Sequence, residues 1–147
     1  MDNAGNVLAP VEVQAVNVND IVLLPGALKK FKQIVKEAEL NVKGKILNLD
    51  TGFDSKTNRK AVWNAGLKPN IPENVRNRDI SKPKLGRPRY FRIKSYKSRF
   101  TAERSFAWED KYRAVVIRYD LKHQNFLGHK LLAYTLINLR HFCGRSQ

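Results

Sequence analysis

Short apolar runs alternate with segments of helical periodicity along the first half of the chain, and this order limits the folds that the chain can adopt. Residues 7–16 are rich in Val and alternate in polarity, which is typical of a strand. Between about Leu24 and Leu40, apolar side chains recur at helical spacing among lysines, which predicts an amphipathic helix. Further short strands are predicted at Ile46–Asp50 and Leu67–Ile71. This order of strands and helices predicts an α/β fold.

Turn and capping residues place the remaining helices. Asp54 or Ser55 can cap a helix that follows the strand at Ile46–Asp50, and Gly66 can end it. The second half of the chain is predicted to hold a long helix, a strand-like or tightly packed connector and a closing apolar helix, at about residues 91–111, 114–119 and 126–142. With a length of 147 residues, these elements predict one domain.

The chain is strongly basic, with 28 Lys and Arg against 13 Asp and Glu and a net charge of +15. The field of such a protein favours polyanions, with nucleic acid first and an anionic membrane surface second. Eleven of the basic side chains fall between residues 76 and 104, where prolines and a glycine interrupt regular structure. A basic loop that contacts nucleic acid is therefore expected at about residues 72–90.

Other features of the sequence argue against secretion and against a membrane span. The first residues lack the basic region of a signal peptide, and the longest apolar stretch, Leu131–Leu139, is too short to span a bilayer. Cys143 is the single cysteine, so the sequence predicts neither an internal disulfide nor a cysteine-based zinc site. We therefore expect a soluble, cytoplasmic protein with a polyanionic partner and no membrane partner.

Asp50 stands out among the carboxylates by its position. It ends an apolar strand just before a glycine turn, which is where open α/β sheets place ligand-binding groups. The alternative is a turn-forming Asp that accepts hydrogen bonds from its own backbone.

Glu103 is the second unusual carboxylate. It lies beside a helical stripe of Tyr96, Phe100 and Ala107 that is expected to face the core. A carboxylate in that position needs a metal ion or a paired cation, because burying an unpaired charge is costly. An ion pair with Arg99, one helical turn earlier, is the alternative to a metal site.

The sequence around Asp50 resembles that of a known enzyme family. Leu49–Ser55 is similar to the segment around the second catalytic Asp of DDE-type insertion-sequence transposases, where this Asp ends a strand and is followed by Gly, an aromatic residue and Asp-Ser. Residues 86–89, residues 117–120 and the final apolar helix resemble the same family. The likeness thus covers nearly the whole chain.

A further segment matches the family's signature around its catalytic Glu, Tyr-x2-Arg-x3-Glu, at Tyr96, Arg99 and Glu103. The signature usually ends in a Lys after six further residues. Asp110 occupies that place here, and Lys111 follows it.

The resemblance implies a DNA transposase with a ribonuclease-H-like α/β fold, in which a mixed sheet is flanked by helices and three carboxylates hold two Mg²⁺ ions. Asp50 and Glu103 would be catalytic residues and metal ligands that face each other. The resemblance and the basic loop together assign phosphate contacts to Tyr96, Arg99, Lys111, Lys82, Lys84, Arg87 and Arg89. The implied partners are DNA, at the element ends and the target, and further transposase copies that form an oligomer on DNA, at the nucleoid if the element is bacterial.

The family's first catalytic Asp lies on a strand that precedes a segment resembling residues 7–16, and this chain has no counterpart of that strand. Asp2 falls in a turn instead. The resemblance therefore implies a partial sheet and a truncated or split enzyme that is inactive alone, with the third carboxylate supplied by the upstream half of the transposase. If the chain were active alone, the third ligand would come from Asp54, Glu109 or Asp110.

Two other functions agree with the charge. A non-catalytic DNA-binding protein, either a regulator or a relic derived from a transposase, would need the basic segment but neither carboxylate. An RNA-binding or ribosome-associated protein would also account for the charge, but it gives no reason for the positions of Asp50 and Glu103.

Overall fold

The computed structural model describes residues 1–2, 4–8, 11, 13, 19–76, 81–82, 86, 88–117 and 119–143. The chain divides into two compact units. The first, called the sheet unit here, comprises residues 16–97. The second, called the helical unit, combines residues 1–15 with residues 98–147. The described elements are of mixed α/β class.

The sheet unit contains a small parallel sheet and three helices. Its elements, in chain order, are α1 (Asp20–Glu37), β1 (Ile46–Asn48), a 3₁₀ turn (Thr51–Phe53), α2 (Lys56–Asn64), β2 (Lys68–Asn70) and α3 (Ile93–Lys97). The two strands are parallel, with Asn48 opposite Asn70. The predicted strands at 46–50 and 67–71 and the predicted first helix are thus confirmed. The described sheet has these two strands only, so the mixed sheet that the resemblance implies is not observed in this part of the chain.

The core of the sheet unit is formed where α1 packs against α2. Its buried members are Leu24, Leu28, Val62, Ala65 and Leu67. The predicted caps of α2 are observed.

Ser55 is the N-cap of α2, because its side chain accepts a hydrogen bond from the backbone N–H of Asn58. Gly66 follows the helix with a φ of 81°, in the left-handed region that favours glycine. The local signals around α2 therefore identified both of its ends.

The described residues of the helical unit form three helices and part of the start of the chain. The helices are α4 (Phe100–Glu109), α5 (Arg113–Val116) and α6 (His123–Cys143), and both shorter helices pack against α6. The Asn138 side chain hydrogen-bonds to both the N–H and the carbonyl of Val7. Asp2 closes the predicted turn, since its carboxylate accepts from the backbone N–H groups of Ala4 and Asn6. Among the described helices, including α6, we find none that combines the length and the apolar character of a membrane span.

Three of the predicted elements differ from the structure. The long helix predicted at 91–111 is wrong: α3 and α4 are separate helices with a turn at 98–99, and they belong to different units. For the connector at 114–119, the strand-like alternative is wrong because the segment begins within α5, whereas the tightly packed alternative agrees with the buried Val115 side chain in the α5–α6 contact. Of the strand predicted at 7–16, residues 7, 8, 11 and 13 are described and are not in a strand, and the other residues lie outside the description.

A buried network of amides joins the sheet to α3. Asn70 has no solvent-exposed surface, and its side-chain nitrogen donates to Asn48 Oδ1 at 2.7 Å and to the Arg92 carbonyl at 3.1 Å. The Asn70 side-chain oxygen accepts from the backbone N–H of Arg92 at 2.7 Å. Asn48 in turn donates to the carbonyl of Ser95 at 2.9 Å. Asn48 and Asn70, which lie opposite each other on the two strands, thus fix the start of α3 by hydrogen bonds to the backbone of Arg92 and Ser95.

Replacing Asn70 with Ala should lower the free energy of unfolding by about 3 kcal/mol or more, because three groups, Asn48 Oδ1 and the N–H and carbonyl of Arg92, lose a hydrogen-bond partner, and each buried group left without one costs about 1–3 kcal/mol. Urea denaturation measures the effect. The control is Asn64→Ala, at an exposed position of α2, which should change stability by less than about 0.5 kcal/mol. Equal effects of the two substitutions would contradict the role given to the network.

Candidate functional site

Asp50 lies at the carboxyl end of β1 and is exposed to solvent. Its Oδ1 accepts a hydrogen bond from the backbone N–H of Thr51 at 2.8 Å, so that it caps the 3₁₀ turn. The turn-forming role that was the alternative interpretation is therefore observed. That role leaves the carboxylate at the end of a parallel strand, where a ligand can reach it.

Tyr96 is the predicted site residue that the structure brings to Asp50. The Tyr96 hydroxyl lies 3.4 Å from Asp50 Oδ1 and donates a hydrogen bond to it. The two residues are 46 positions apart in the sequence, and the contact exists because the amides of Asn48 and Asn70 hold α3 beside β1. The Tyr96 ring also contacts Phe91, with ring centroids 5.4 Å apart.

Glu103 does not lie beside a buried stripe as the sequence predicted. Its side chain is 61% exposed, and its Oε1 lies 3.8 Å from Arg99 Nη2, one helical turn earlier. Phe100 is 67% exposed, and Ala107 is also exposed. The ion-pair alternative is thus the one observed.

The prediction of a buried stripe was wrong because it assumed one continuous helix, whereas the structure has two separate helices, α3 and α4. The buried positions of α4 are instead Ser105 and Glu109. Ser105 donates its hydroxyl hydrogen bond to the carbonyl of Gly5 within the helical unit. Since Asp50 and Glu103 belong to different units, their expected convergence stays a prediction.

The other residues assigned to DNA lie in several settings. Lys82 and Lys111 are exposed, and Lys111 lies two residues after the end of α4. Arg99 pairs with Glu103. Lys84 and Arg87 lie outside the described residues.

Arg89 has a structural partner that the sequence interpretation missed. Its Nη1 lies 2.7 Å from both oxygens of Asp54, whose side chain is only 3% exposed. Asp54 also accepts from Arg59 Nε at 2.8 Å and from the backbone N–H of Asn74 at 2.8 Å. The five-residue spacing of Asp54 and Arg59 across the start of α2 was the signal that could have indicated a pair, whereas Arg89 is brought in only by the tertiary fold.

These contacts set the ionisation of Asp54. Burial alone would raise the pKa of this carboxyl, but the hydrogen bond from Asn74 and the guanidinium groups of Arg59 and Arg89 outweigh it and hold the pKa below its ordinary value. Asp54 is therefore ionised, and its negative charge is balanced by Arg59 and Arg89. These ion pairs link α2 to the segment around Arg89.

Glu109 is a second buried carboxylate with dedicated partners. It accepts a hydrogen bond from the Tyr134 hydroxyl, and its Oε1 lies 3.0 Å from Lys130 Nζ. Burial raises the pKa of Tyr134, and the neighbouring Glu109 raises it further. Asp54 and Glu109, two of the three reserve candidates for a third metal ligand, are thus engaged by protein groups.

Asp50 fits one part of a Mg²⁺ site. Mg²⁺ is usually held by one or two carboxylates together with waters and substrate phosphates, and Asp50 offers hard oxygen donors at an exposed position. Within the described ranges, no three His, Cys, Asp or Glu side chains come close enough to hold a metal ion. A site with two ions therefore needs ligands in addition to those gathered around Asp50.

Comparison of the chain with models of protein families, with characterised proteins and with solved structures gives no significant match.

Replacing Asp54 with Asn should destabilise the protein at neutral pH, and the loss should shrink in acid. Because the pKa of Asp54 in the folded protein lies below its ordinary value of about 3.9, the charged carboxylate stabilises the fold above that pH, and this contribution disappears as the pH falls through the folded pKa. Urea denaturation of both proteins between neutral and acidic pH measures the difference. Asp110→Asn, at an exposed position, is the control, and a pH-independent loss for Asp54→Asn would contradict the ion-pair role.

Proposed function

We propose that this chain is part of the catalytic domain of a DDE-type insertion-sequence transposase, a ribonuclease-H-like enzyme that cuts and joins DNA with Mg²⁺. The observation that carries the proposal is the hydrogen bond from Tyr96 to Asp50 at the carboxyl end of a parallel strand. The two sequence segments that resemble the family are far apart in the chain, and the fold brings a residue of each into contact.

In the proposed mechanism, Asp50 provides a negatively charged oxygen ligand whose direction is fixed by the Thr51 N–H and the Tyr96 hydroxyl. Glu103 is proposed as a second carboxylate ligand, and the third comes from another segment or another chain. Bound Mg²⁺ would activate the attacking water or 3′-hydroxyl and stabilise the leaving oxygen at phosphorus. Tyr96, Arg99 and Lys111 would position the DNA phosphates, since an in-line displacement depends chiefly on positioning and charge stabilisation.

The charge of the segment before Glu103 supports DNA as the substrate. Residues 80–102 contain eight Lys or Arg and no Asp or Glu. This segment includes α3, where Lys94 and Lys97 are exposed next to Tyr96. Phosphates that approach Asp50 would therefore meet a surface of opposite charge.

The second candidate function is a DNA-binding regulator or relic that lacks catalysis. The observation that favours it is the exposed, ion-paired position of Glu103, which is ordinary for a solvent-facing helix. The two functions differ in whether Asp50 and Glu103 share a bound ion.

Iron-mediated cleavage can test that point on the chain itself. Fe²⁺ replaces Mg²⁺, and with ascorbate and peroxide it produces radicals that cut the backbone close to the bound ion. With duplex DNA present, we expect cuts near both residue 50 and residue 103, and both should disappear in Asp50→Asn but remain in the control Glu37→Gln, at an exposed carboxylate of α1. Cuts near only one of the two residues, or cuts that persist in Asp50→Asn, would refute the shared metal site and leave the non-catalytic function.

The DNA-binding role of the basic loop predicts a specific salt dependence. Replacing Lys82, Lys84 and Arg87 together with Ala should flatten the slope of log affinity against log salt by up to about 2.7, because each lost phosphate contact removes about 0.9. Arg89 is left intact because it pairs with Asp54.

The matched control removes the same charge from exposed positions outside the loop, through Lys43, Lys45 and Lys60. This variant should retain a steeper slope than the loop variant in fluorescence anisotropy with a labelled duplex. Equal slopes for the two variants would show that the loop contributes only general charge.

A further inference from the structure

Trp108 in the helical unit holds two arginines against its ring. The guanidinium carbon of Arg104 lies 5.8 Å from the ring centroid, and that of Arg140 lies 5.7 Å from it. Arg104 precedes Trp108 by four residues on α4, which places both on one face of the helix. Arg140 comes from α6, so its contact depends on the packing of α4 against α6.

This arrangement brings two like charges close together. Both guanidinium carbons lie within 6 Å of one ring centroid, so their separation is below about 12 Å. Both arginines are exposed, whereas Trp108 is half-buried and fixes their position. The two carboxylates of α4 pair with other cations, Glu103 with Arg99 and Glu109 with Lys130.

Stacking on an indole leaves a guanidinium group able to bind an anion. A guanidinium group held over an aromatic ring keeps N–H donors that the ring does not use, and these donors match the oxygens of a phosphate. Two such groups less than about 12 Å apart can contact phosphates of the same nucleic acid, and a bound anion relieves their mutual repulsion.

We propose that Arg104, Trp108 and Arg140 form a binding site for the sugar-phosphate backbone of duplex DNA. The site lies in the helical unit and shares no residue with the proposed metal ligands or with the DNA contacts assigned from the sequence. It rests on DNA as the partner but not on catalysis, and it binds without metal.

The site carries its own fluorescent reporter. The chain has two tryptophans, and Trp63, which is 52% exposed, lies on α2 in the sheet unit. In a Trp63→Phe background, Trp108 reports alone. Titration with duplex DNA in EDTA should change its emission, and adding Arg104→Ala and Arg140→Ala should remove that change and flatten the salt slope of binding by about 1.8.

Two matched variants separate the site from general charge and from misfolding. Replacing Arg113 and Lys122, two exposed cations of the same unit, with Ala should preserve the emission change. Replacing Arg104 and Arg140 with Lys keeps the charge but removes the planar fork, and it should give a weaker emission change than the parent. Thermal unfolding of each variant establishes that it is folded.

Three results would overturn the proposal. One is an unchanged slope and emission response in the folded double Ala variant. Another is an equal loss in the Arg113 and Lys122 variant. The third is saturation of the Trp108 response by inorganic pyrophosphate at the phosphate concentration where DNA saturates it, which would make the site a receptor for small phosphates. Because the titration contains EDTA, its failure would leave the metal-site proposal unaffected, and failure of the iron-cleavage experiment would leave this site unaffected.

Discussion

The geometry of the sheet unit depends on the burial of one side-chain amide, that of Asn70. Burying an amide costs several kcal/mol unless it is hydrogen-bonded. The groups around Asn70 must therefore supply its hydrogen-bond partners. They are Asn48 on the neighbouring strand and both backbone groups of Arg92. This requirement fixes the start of α3 beside the carboxyl end of β1, and the Tyr96 hydroxyl reaches Asp50 as a consequence. The candidate site is thus positioned by the hydrogen bonds of Asn48 and Asn70 rather than by contacts among its own residues.

Each unit contains a buried carboxylate. The two carboxylates have different partners, but both are stabilised by a cation and by further hydrogen-bond donors. Asp54 in the sheet unit is neutralised by Arg59 and Arg89, and Glu109 in the helical unit is matched by Lys130 and Tyr134. Each carboxylate is stable in the interior because a cation and further donors satisfy it. In a protein with a net charge of +15, cations for this purpose are abundant. The carboxylates at Asp50 and Glu103 differ from these two in being exposed, which is compatible with the binding of an ion or a phosphate-bearing substrate.

The proposals give the two units complementary contacts with DNA. The sheet unit offers Asp50, Tyr96 and most of the segment without acidic residues, whereas the helical unit offers Glu103 and the two arginines over Trp108. Electrostatic attraction is common to both, and in the helical unit an aromatic ring holds the arginines on Trp108 in place. Nonspecific attraction and positioned contact are therefore separable properties of this protein.

The sequence by itself determined the elements whose signals are local. The periodicity of α1, the Ser55 cap and Gly66 end of α2, and the apolar runs of β1 and β2 were predicted correctly, because caps and short periodic runs depend on neighbouring residues. The position of Asp50 at a strand end was predicted for the same reason. Only the tertiary structure decided the break between α3 and α4, the burial of Glu109 instead of Glu103, and the pairing of Arg89 with Asp54. Each of these depends on partners distant in sequence, such as Asn70 for α3, Lys130 and Tyr134 for Glu109, and Asp54 for Arg89, and helical periodicity contains no information about which face such partners will cover.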